Sequence, residues 1–382
     1  MMSIKIVLTA IVLWMTSING PWAPTASPGT ITKQPPENAT APILYNWIPD
    51  GTPMADIRGM NAQSYVIVYS DIFPDRGESG VLNTQTVIRA LEKQISNTYS
   101  GWGVLDFEGE IFDRLFHEPI NDKFEITTES LINTIRAVKK RWPKAKWTYW
   151  GMPDLKFWIH IAGEKPTTWA TANETQKTRA LNRAQKGFMA IAEEVDWISP
   201  WIYDLYLNEQ FSSANEKQSM INAQREWALA KCKLCRTISN SRSGGPIPVI
   251  PMFCPMFAPG GNIATKTFVS EEEFRTDILE PVVKSGVDGL STWNELGFRV
   301  SNAFRSAINQ HQVGIRNNSR KVLSEILFED DSFNWNSENA KRLVNDAIRP
   351  ILMTQLRMMR SELDDFGPHS PAPRSSEPSS NR

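Results

Sequence analysis

The sequence contains few of the residues that build metal centres and catalytic triads. Its 382 residues include three cysteines and four histidines. Cys232 and Cys235 have a CxxC spacing, but no second Cys or His pair follows at the spacing of a structural zinc site, so we expect no bound metal. In an exported protein these two could form a local disulfide, which leaves Cys254 over. No nucleophile elbow accompanies the histidines, and a hydrolase triad is not expected. The histidines are His117, His160, His311 and His369.

An excess of charge of one sign and a second long apolar run are also absent. The net charge of -1 gives no support for binding nucleic acid. The basic run 231–242 is interpreted as a solvated helix end and loop. Residues 1–20 carry Lys5 and then the apolar stretch 6–18, which is typical of a signal peptide, with an uncleaved membrane anchor as the alternative. We therefore expect a secreted or periplasmic protein with no integral membrane span once the signal is removed.

Composition divides the chain into a body and its flanks. Residues 21–41 form a Pro/Thr/Ser-rich linker and residues 367–382 a Pro/Ser-rich disordered tail, because neither can bury a core. Residues 42–310 are long enough for one large barrel. In 311–366 we expect a helical extension, since apolar residues over 337–360 recur at helical spacing, with a kink at Pro350. Its simplest placement is on the outside of the barrel, with a partner-binding helix as the alternative.

Apolar runs alternate with amphipathic stretches along the body. The runs are 42–48, 65–70, 103–107, 146–151, 197–203, 248–253 and 287–293. The stretches of helical period include 84–96, 129–141, 175–194, 214–231 and 270–284. Strands this apolar, separated by helices, indicate a parallel sheet covered by helices. Seven or eight such units predict an α/β fold, a distorted TIM-barrel-like (β/α) barrel. No glycine-rich phosphate fingerprint follows the first strand, so we expect no dinucleotide or other cofactor.

Two carboxylates stand where the apolar run 103–107 ends. Asp106 and Glu108 are one residue apart, so in an extended strand their side chains leave on the same face. Burying two acids together raises the pKa of one of them, which is how a carboxylic acid stays protonated to act as a general acid near neutral pH. The alternative is that Asp106 caps the next helix and Glu108 is solvated.

Aromatic and acidic residues are concentrated at the predicted strand ends, where barrels of this kind carry their active sites. Sugars stack their apolar faces on aromatic rings and bind charged or amide groups through their hydroxyls. The pattern therefore favours a carbohydrate site, although core packing is the alternative for each tryptophan. The residues are Tyr69, Asp71, Asp106, Glu108, Trp150, Asp154, Tyr203, Asp204, Trp293 and Glu295.

The segment 101–108, Gly-Trp-Gly-Val-Leu-Asp-Phe-Glu, resembles the catalytic strand of the hyaluronidase family of glycoside hydrolases, whose signature is Asp-aromatic-Glu after an apolar strand. Further blocks follow in the family's order, at 66–74, 141–153, 198–203 and 286–293. The resemblance covers roughly 42–309 and implies a distorted seven-stranded barrel, which agrees with the strand count from the pattern alone.

The resemblance also implies roles for individual residues. Glu108 would donate a proton to the glycosidic oxygen, and Asp106 would orient the 2-acetamido group of the substrate. Tyr203 would hydrogen-bond that group and Trp293 would form the floor under the sugar. The implied chemistry is substrate-assisted and retaining, with the acetamido oxygen as the nucleophile. Further substrate-binding residues are predicted to be Tyr69, Trp150, Asp204 and Glu295.

Two departures from the family's pattern bear on the substrate. Trp150 stands where the family has tyrosine, and Gly109, Glu110 and Ile111 follow the acid where the family carries Trp and then Arg. We therefore expect a polysaccharide or glycosaminoglycan-like substrate containing N-acetylhexosamine, neutral or less charged than hyaluronan, bound by a monomer. Two alternatives stay open. One is a conventional two-carboxylate glycosidase using Glu108 with Glu295 or Asp204, and the other is a non-catalytic glycan-binding barrel.

Overall fold

A computed structural model of the chain describes residues 41–46, 54–69, 79–160, 165–205, 213–254, 269–293 and 349–366. All of them lie in one compact unit, Glu37–Arg382. The predicted signal peptide, nearly all of the linker and the C-terminal tail lie outside the described residues, as do Asp71, Glu295 and the side chain of Tyr69.

Short strands account for six of the seven predicted apolar runs. The strands in the described part of the chain, β5 and β6 included although neither was predicted, are β1 (Ile43–Tyr45), β2 (Ala62–Tyr69), β3 (Trp102–Asp106), β4 (Lys146–Tyr149), β5 (Trp158–Ile159), β6 (Thr167–Thr168), β7 (Met252–Phe253) and β8 (Leu290–Thr292). Six of them form one parallel sheet in the order β4-β3-β2-β1-β8-β7, while β5 and β6 make a separate antiparallel pair. All of β3 is buried, as expected for a strand covered on both faces.

The seventh apolar run, 197–203, joins the two edges of this sheet through isolated parallel bridges. Ser199 pairs with Trp150 after β4, and Ile198 and Trp201 pair with Val249 and Met252 on the β7 side. A continuous ladder does not form there because a proline, Pro200, interrupts the run and has no N–H to donate. The predicted α/β fold, a distorted (β/α) barrel, is confirmed.

Helices cover the sheet, and each of the five predicted helical stretches corresponds to one or more of them. The helices are α1 (Met54–Gly59), α2 (Thr84–Gln94), α3 (Glu110–Phe112), α4 (Asp122–Arg141), α5 (Glu174–Ala192), α6 (Ala214–Asn240), α7 (Glu271–Glu273), α8 (Glu280–Lys284) and α9 (Arg349–Phe366). π-Helical turns at Asp113–His117 and Phe274–Leu279 continue α3 and α7. Side-chain caps explain two of the starts, with Asn121 capping α4 and a capping box of Asn173 and Gln176 opening α5.

The interpretation of 231–242 as solvated is wrong at its start. Helix α6 continues to Asn240, and Lys231, Cys232 and Cys235 are all buried on its inner face. Spacings of three and four residues put these positions on the same side of the helix as the fully buried Trp227. All three cysteines of the chain are free and buried, so the local disulfide does not form.

Helix α9 is the described part of the C-terminal extension. It contacts β1 and α8, and its apolar side buries residues such as Leu356 and Met359. Arg360 donates a hydrogen bond from Nη1 to the carbonyl of Ala41 at 2.9 Å, which ties the helix to the start of the barrel. Pro350 lies in the first described turn, and the residues before it are outside the description. Among the described helices, none is long and apolar enough to cross a membrane.

Candidate functional site

Strand β3 ends at the two predicted carboxylates. Asp106 is its last residue, is buried, and pairs in register with Tyr69 of β2. Glu108 follows two residues later and is partly exposed. Gly109 then adopts a φ of 68°, in the region that glycine tolerates best, so the chain turns sharply into α3. The register of β3 is fixed from the other side by Gly103, since a Cβ there would lie 2.1 Å from the buried Trp147 ring of β4.

Tyr203 lies beside Asp106 in the barrel. Its side chain is fully buried, and burial raises the pKa of the phenol well above its ordinary value. The charges of Cys254, Tyr65 and Asp106 raise the pKa of Tyr203 further, in that order. The carboxylate of Asp106 and the phenol of Tyr203 therefore lie close enough to interact, and the phenol keeps its proton at neutral pH.

Aromatic rings enclose Tyr203. Trp293 stacks on it with ring centroids 5.9 Å apart and planes 14° apart, while Trp150 and Trp201 lie 6.4 Å and 5.5 Å away in tilted orientations. Phe112 stacks in turn on Trp150 at 6.1 Å. The structure thus brings together Tyr203, Trp150 and Trp293, which the sequence predicts as substrate-binding residues. We call Asp106, Glu108, Trp150, Tyr203 and Trp293 the strand-end cluster.

Several polar atoms in and beside the strand-end cluster are buried without a hydrogen-bond partner among the described residues. A buried polar group left unsatisfied costs about 1–3 kcal/mol. The indole of Trp150 is near enough to the phenol to offset part of its raised pKa, yet the two do not form a hydrogen bond of standard geometry. A ligand with hydroxyl, amide or carbonyl groups would satisfy such atoms. They are Trp150 Nε1, Ser199 Oγ, Tyr203 Oη and Trp293 Nε1.

Sequence reasoning missed two neighbours of Tyr203, namely Tyr65 and Cys254. Tyr65 lies at the buried start of the β2–β3 pairing and donates its hydroxyl to the carbonyl of Thr292 at 3.3 Å. Both belong to segments distant in sequence, and nothing in their local pattern links them to Tyr203.

Asp204 is turned to a different neighbour. Its Oδ1 accepts a hydrogen bond from Nε2 of Gln224 at 2.7 Å, and the Oε1 of the same glutamine accepts from the backbone N–H of Leu205 at 2.8 Å. Gln224 belongs to α6, so Asp204 is engaged by the helical layer. This arrangement does not favour Asp204 as the second carboxylate of a conventional glycosidase.

Asp154 follows β4 and is surrounded by cationic and N–H groups. Its carboxylate lies 3.0 Å from His117 Nε2 and 3.6 Å from Lys156 Nζ, and accepts a hydrogen bond from Trp201 Nε1 at 3.2 Å. Burial raises the pKa of Asp154, but the charge of Lys156 and the charge and hydrogen bond of His117 outweigh it and hold the pKa well below the ordinary value. Asp154 is therefore ionised and compensated.

Lys231 is an unusual buried cation behind Asp154. Its Nζ lies 3.9 Å from the ring centroid of Trp201 and 5.3 Å from that of Trp227, and has no hydrogen-bond partner in the described part of the chain. Burial lowers the pKa of Lys231 to about 8, although Asp154 raises it in part. Cation–π contacts with the two indoles thus accompany a costly burial. Within the described residues, no three His, Cys, Asp or Glu side chains converge as a metal site would require.

Comparison with protein-family models and with curated proteins finds no match. Among solved structures, the chain is similar to bee venom hyaluronidase, with 16% identity, 82% of this chain and 99% of the other covered, and a TM-score of 0.48. A structure of bee venom hyaluronidase with a hyaluronic acid tetramer gives 16% identity, coverage of 74% and 98%, and a TM-score of 0.41. A GH18 chitinase from Pseudoalteromonas aurantia gives 13% identity, coverage of 62% and 72%, and a TM-score of 0.33. Because the identities and TM-scores are this low, the chemistry of the site is inferred from its own geometry.

Proposed function

We propose that the protein is a secreted glycoside hydrolase that cleaves a polysaccharide or glycosaminoglycan-like glycan containing N-acetylhexosamine. The observation that carries the proposal is the stacking of a buried tyrosine, Tyr203, on Trp293, with Asp106 near enough for its charge to raise the pKa of that tyrosine. An anion beside a protonated phenol and an indole face supplies the three groups needed to hold an N-acetylated sugar. These are a charge for the amide N–H, a donor for the carbonyl and an apolar surface for the ring.

The proposed mechanism needs one proton-transferring carboxyl group. Glu108 donates its proton to the glycosidic oxygen as the bond to the anomeric carbon breaks, while the acetamido oxygen of the substrate attacks that carbon. Asp106 stabilises the positive charge that develops on the acetamido group, and Tyr203 hydrogen-bonds the same group. Water then attacks the anomeric carbon, the bond from that carbon to the acetamido oxygen breaks, and the water gives a proton to Glu108, which restores the acid. Partial exposure of Glu108 supports this exchange with water.

A non-catalytic glycan-binding barrel is the second candidate, because the buried polar atoms of the strand-end cluster suit binding as well as turnover. The conventional two-carboxylate reading has less support. Asp204 is held by Gln224 on α6, and Glu295 lies outside the described residues.

Turnover by purified protein on hyaluronan, chondroitin, chitin oligomers and peptidoglycan fragments, detected as new reducing ends, tests the proposal. On the substrate that is cut, Glu108→Gln should lower kcat at least about a hundredfold and leave glycan binding largely intact, because it removes a proton and keeps the shape. Glu110→Gln is the matched control, because Glu110 lies two residues after Glu108 and is paired with Arg114 at 2.8 Å. This variant should keep near-parental turnover.

Retention of more than a few per cent of activity by Glu108→Gln contradicts its role as the general acid. Binding of a glycan with no new reducing ends from the parent protein favours the non-catalytic barrel.

A further inference from the structure

A second concave site lies apart from the strand-end cluster. It is a cavity of about 510 Å³ between the turn after α3, the loop that follows β4 and the outer face of α5. We call it the basic pocket. None of the five residues of the strand-end cluster lines it, whereas six of its lining residues carry nitrogen bases or cations. These six are His117, Lys156, His160, Arg179, Arg183 and Lys186.

Helix α5 contributes three of these cations from one face. Arg179, Arg183 and Lys186 follow at spacings of four and three residues, which places their side chains next to one another. Like charges at such spacings destabilise a helix in isolation. Three cationic side chains on one wall give the pocket a positive potential, which makes it suited to an anion.

Arg183 is the residue most clearly prepared for a ligand. Its Nη2 donates to the backbone carbonyls of Arg114 and Glu118 at 3.0 Å and 2.7 Å, which fixes the guanidinium in the pocket wall. Its Nη1 is buried without a hydrogen-bond partner among the described residues. Its Cζ lies 5.2 Å from the ring centroid of Phe124, so the guanidinium contributes a fixed positive charge to the pocket wall, which favours a phosphate or sulfate group.

Among the described residues that line the pocket, the acids do not cancel the positive charge. Four Lys and Arg residues stand against two acids, Glu118 and Asp154, which leaves a formal charge of +2 with neutral histidines. Asp154 is already engaged by His117 and Lys156. The pKa of His160 is lowered by burial first and then by the charges of Lys156 and His117, with Asp113 opposing. This agrees with a positive potential in the pocket.

Apolar residues also line the pocket, namely Phe116, Leu155, Trp158 and Ile159. The volume exceeds what one inorganic anion occupies and lies within the range of small-molecule sites. We propose that the basic pocket is a second ligand site, for a small ring-bearing molecule that carries a phosphate or sulfate ester. This proposal does not depend on the proposed glycosidase function.

Direct binding to the full chain tests it, without any readout of turnover. The probes are inorganic phosphate, inorganic sulfate, N-acetylglucosamine 6-phosphate, N-acetylglucosamine 6-sulfate and uncharged N-acetylglucosamine, measured by calorimetry. Side-chain NMR locates the site, because two of the four histidines in the chain, His117 and His160, line the pocket. We expect the charged sugars to bind and to shift these two ring signals. Whichever of the two esters binds more tightly shows whether the site prefers a phosphate or a sulfate group.

Arg183→Gln should weaken binding of the charged sugar at least about tenfold. Lys186 is exposed, so Lys186→Gln leaves folding intact and should weaken binding a few-fold. Lys140→Gln, which removes an exposed charge from α4, is the matched control and should bind as the parent does. Equal binding by all three variants, equal shifts of all four histidines, or equal binding of the uncharged sugar at this site would overturn the proposal.

Discussion

The strand-end cluster and the basic pocket each include a buried aspartate at or after the end of one of two neighbouring strands, yet the two aspartates have opposite surroundings. Asp154 lies among His117, Lys156 and Trp201, so its charge is compensated by fixed partners. Asp106 lies beside the phenol of Tyr203 and raises its pKa. A carboxylate held by fixed cations stabilises the structure, whereas a carboxylate beside a protonated phenol and a stacked indole lies where the proposed function needs an anion. Burial alone therefore does not mark a carboxylate as part of a binding site.

The largest expected effect is on turnover. Asp106→Asn should lower kcat/KM on a substrate containing N-acetylhexosamine about 10²–10³-fold, because it removes the anion that stabilises the charged acetamido group. Steady-state kinetics on the substrate found in the panel measure the loss. Glycan binding should persist, since the amide keeps the shape of the side chain.

A de-acetylated version of the substrate is the internal control for Asp106→Asn. The variant should lose less on it than on the acetylated form. Equal losses on both substrates would show that Asp106 does not act through the acetamido group.

The next largest effect is on stability. Asp154→Asn should lower the free energy of unfolding by about 3–5 kcal/mol, because it leaves the charges of Lys156 and Lys231 buried or half-buried without their anion. Urea unfolding at pH 7 measures this loss. Asp113→Asn, at an exposed position on the same side of the molecule, is the control and should change little.

The pH dependence of this difference follows from the lowered pKa of Asp154. A folded-state pKa below the unfolded value of about 3.9 gives stability that is present above that value and lost as pH falls towards the folded pKa. The gap between the parent and Asp154→Asn should therefore be full above about pH 5 and shrink below about pH 4. A gap that does not change with pH contradicts the ion-pair role.

The charge of Lys231 has the opposite effect on the free energy of unfolding, since it destabilises the folded state. Its folded pKa of about 8 lies below its ordinary value of 10.5, so burial of the cation opposes folding at and below pH 8 and the penalty is relieved as pH rises to about 10.5. At about 1.36 kcal/mol per pKa unit the penalty is about 3 kcal/mol. Lys231→Met should therefore be as stable as the parent or more stable at pH 7, and should lose the rise in stability between pH 8 and 10.5.

Lys233→Met on the exposed side of the same helix is the matched control and should keep that rise. Destabilisation of Lys231→Met by several kcal/mol would show that the cation is worth more to Asp154 than its burial costs.

Strands and helices were predictable here because each carries a local pattern, a continuous apolar run in the all-buried β3 and helical spacing in the amphipathic α5. The region 197–203 was predicted as a strand and forms bridges to both edges instead, because a proline removes a donor. Lys231 was wrongly predicted to be solvated because a run of charged residues usually lies on the surface. One of the two indoles that contact it, Trp201, comes from a different segment, so the local sequence does not show that this lysine is buried.

The candidate site was also predictable only in part. Asp106 and Glu108 stand out in a single segment, and Tyr203, Trp150 and Trp293 were predicted from their places at strand ends. The partners of Asp154 were not predictable, since His117 lies 37 residues away in the chain and reaches it only through the fold. The row of cations on α5 could be recognised from its helical spacing. The loop after β4 that faces this row has no periodic pattern, so the pocket itself was not predictable.

The smallest expected effect concerns salt, and it compares the two regions directly. A polyanionic substrate that enters the strand-end cluster meets the charge of Asp106, at a cost of about 1 kcal/mol for a close pair in water, while Glu108 is protonated in its role as the acid. The nearby Glu110 adds less because Arg114 pairs with it. Salt screens this repulsion, with a Debye length of about 10 Å at about 0.1 M. Any kcat/KM on hyaluronan should therefore rise a few-fold from low to moderate salt, while that on a neutral chitin oligomer stays constant. A steep fall for hyaluronan alone would mean that cations such as Arg183 and Lys186 of the basic pocket, rather than the acids of β3, dominate the field that the substrate meets.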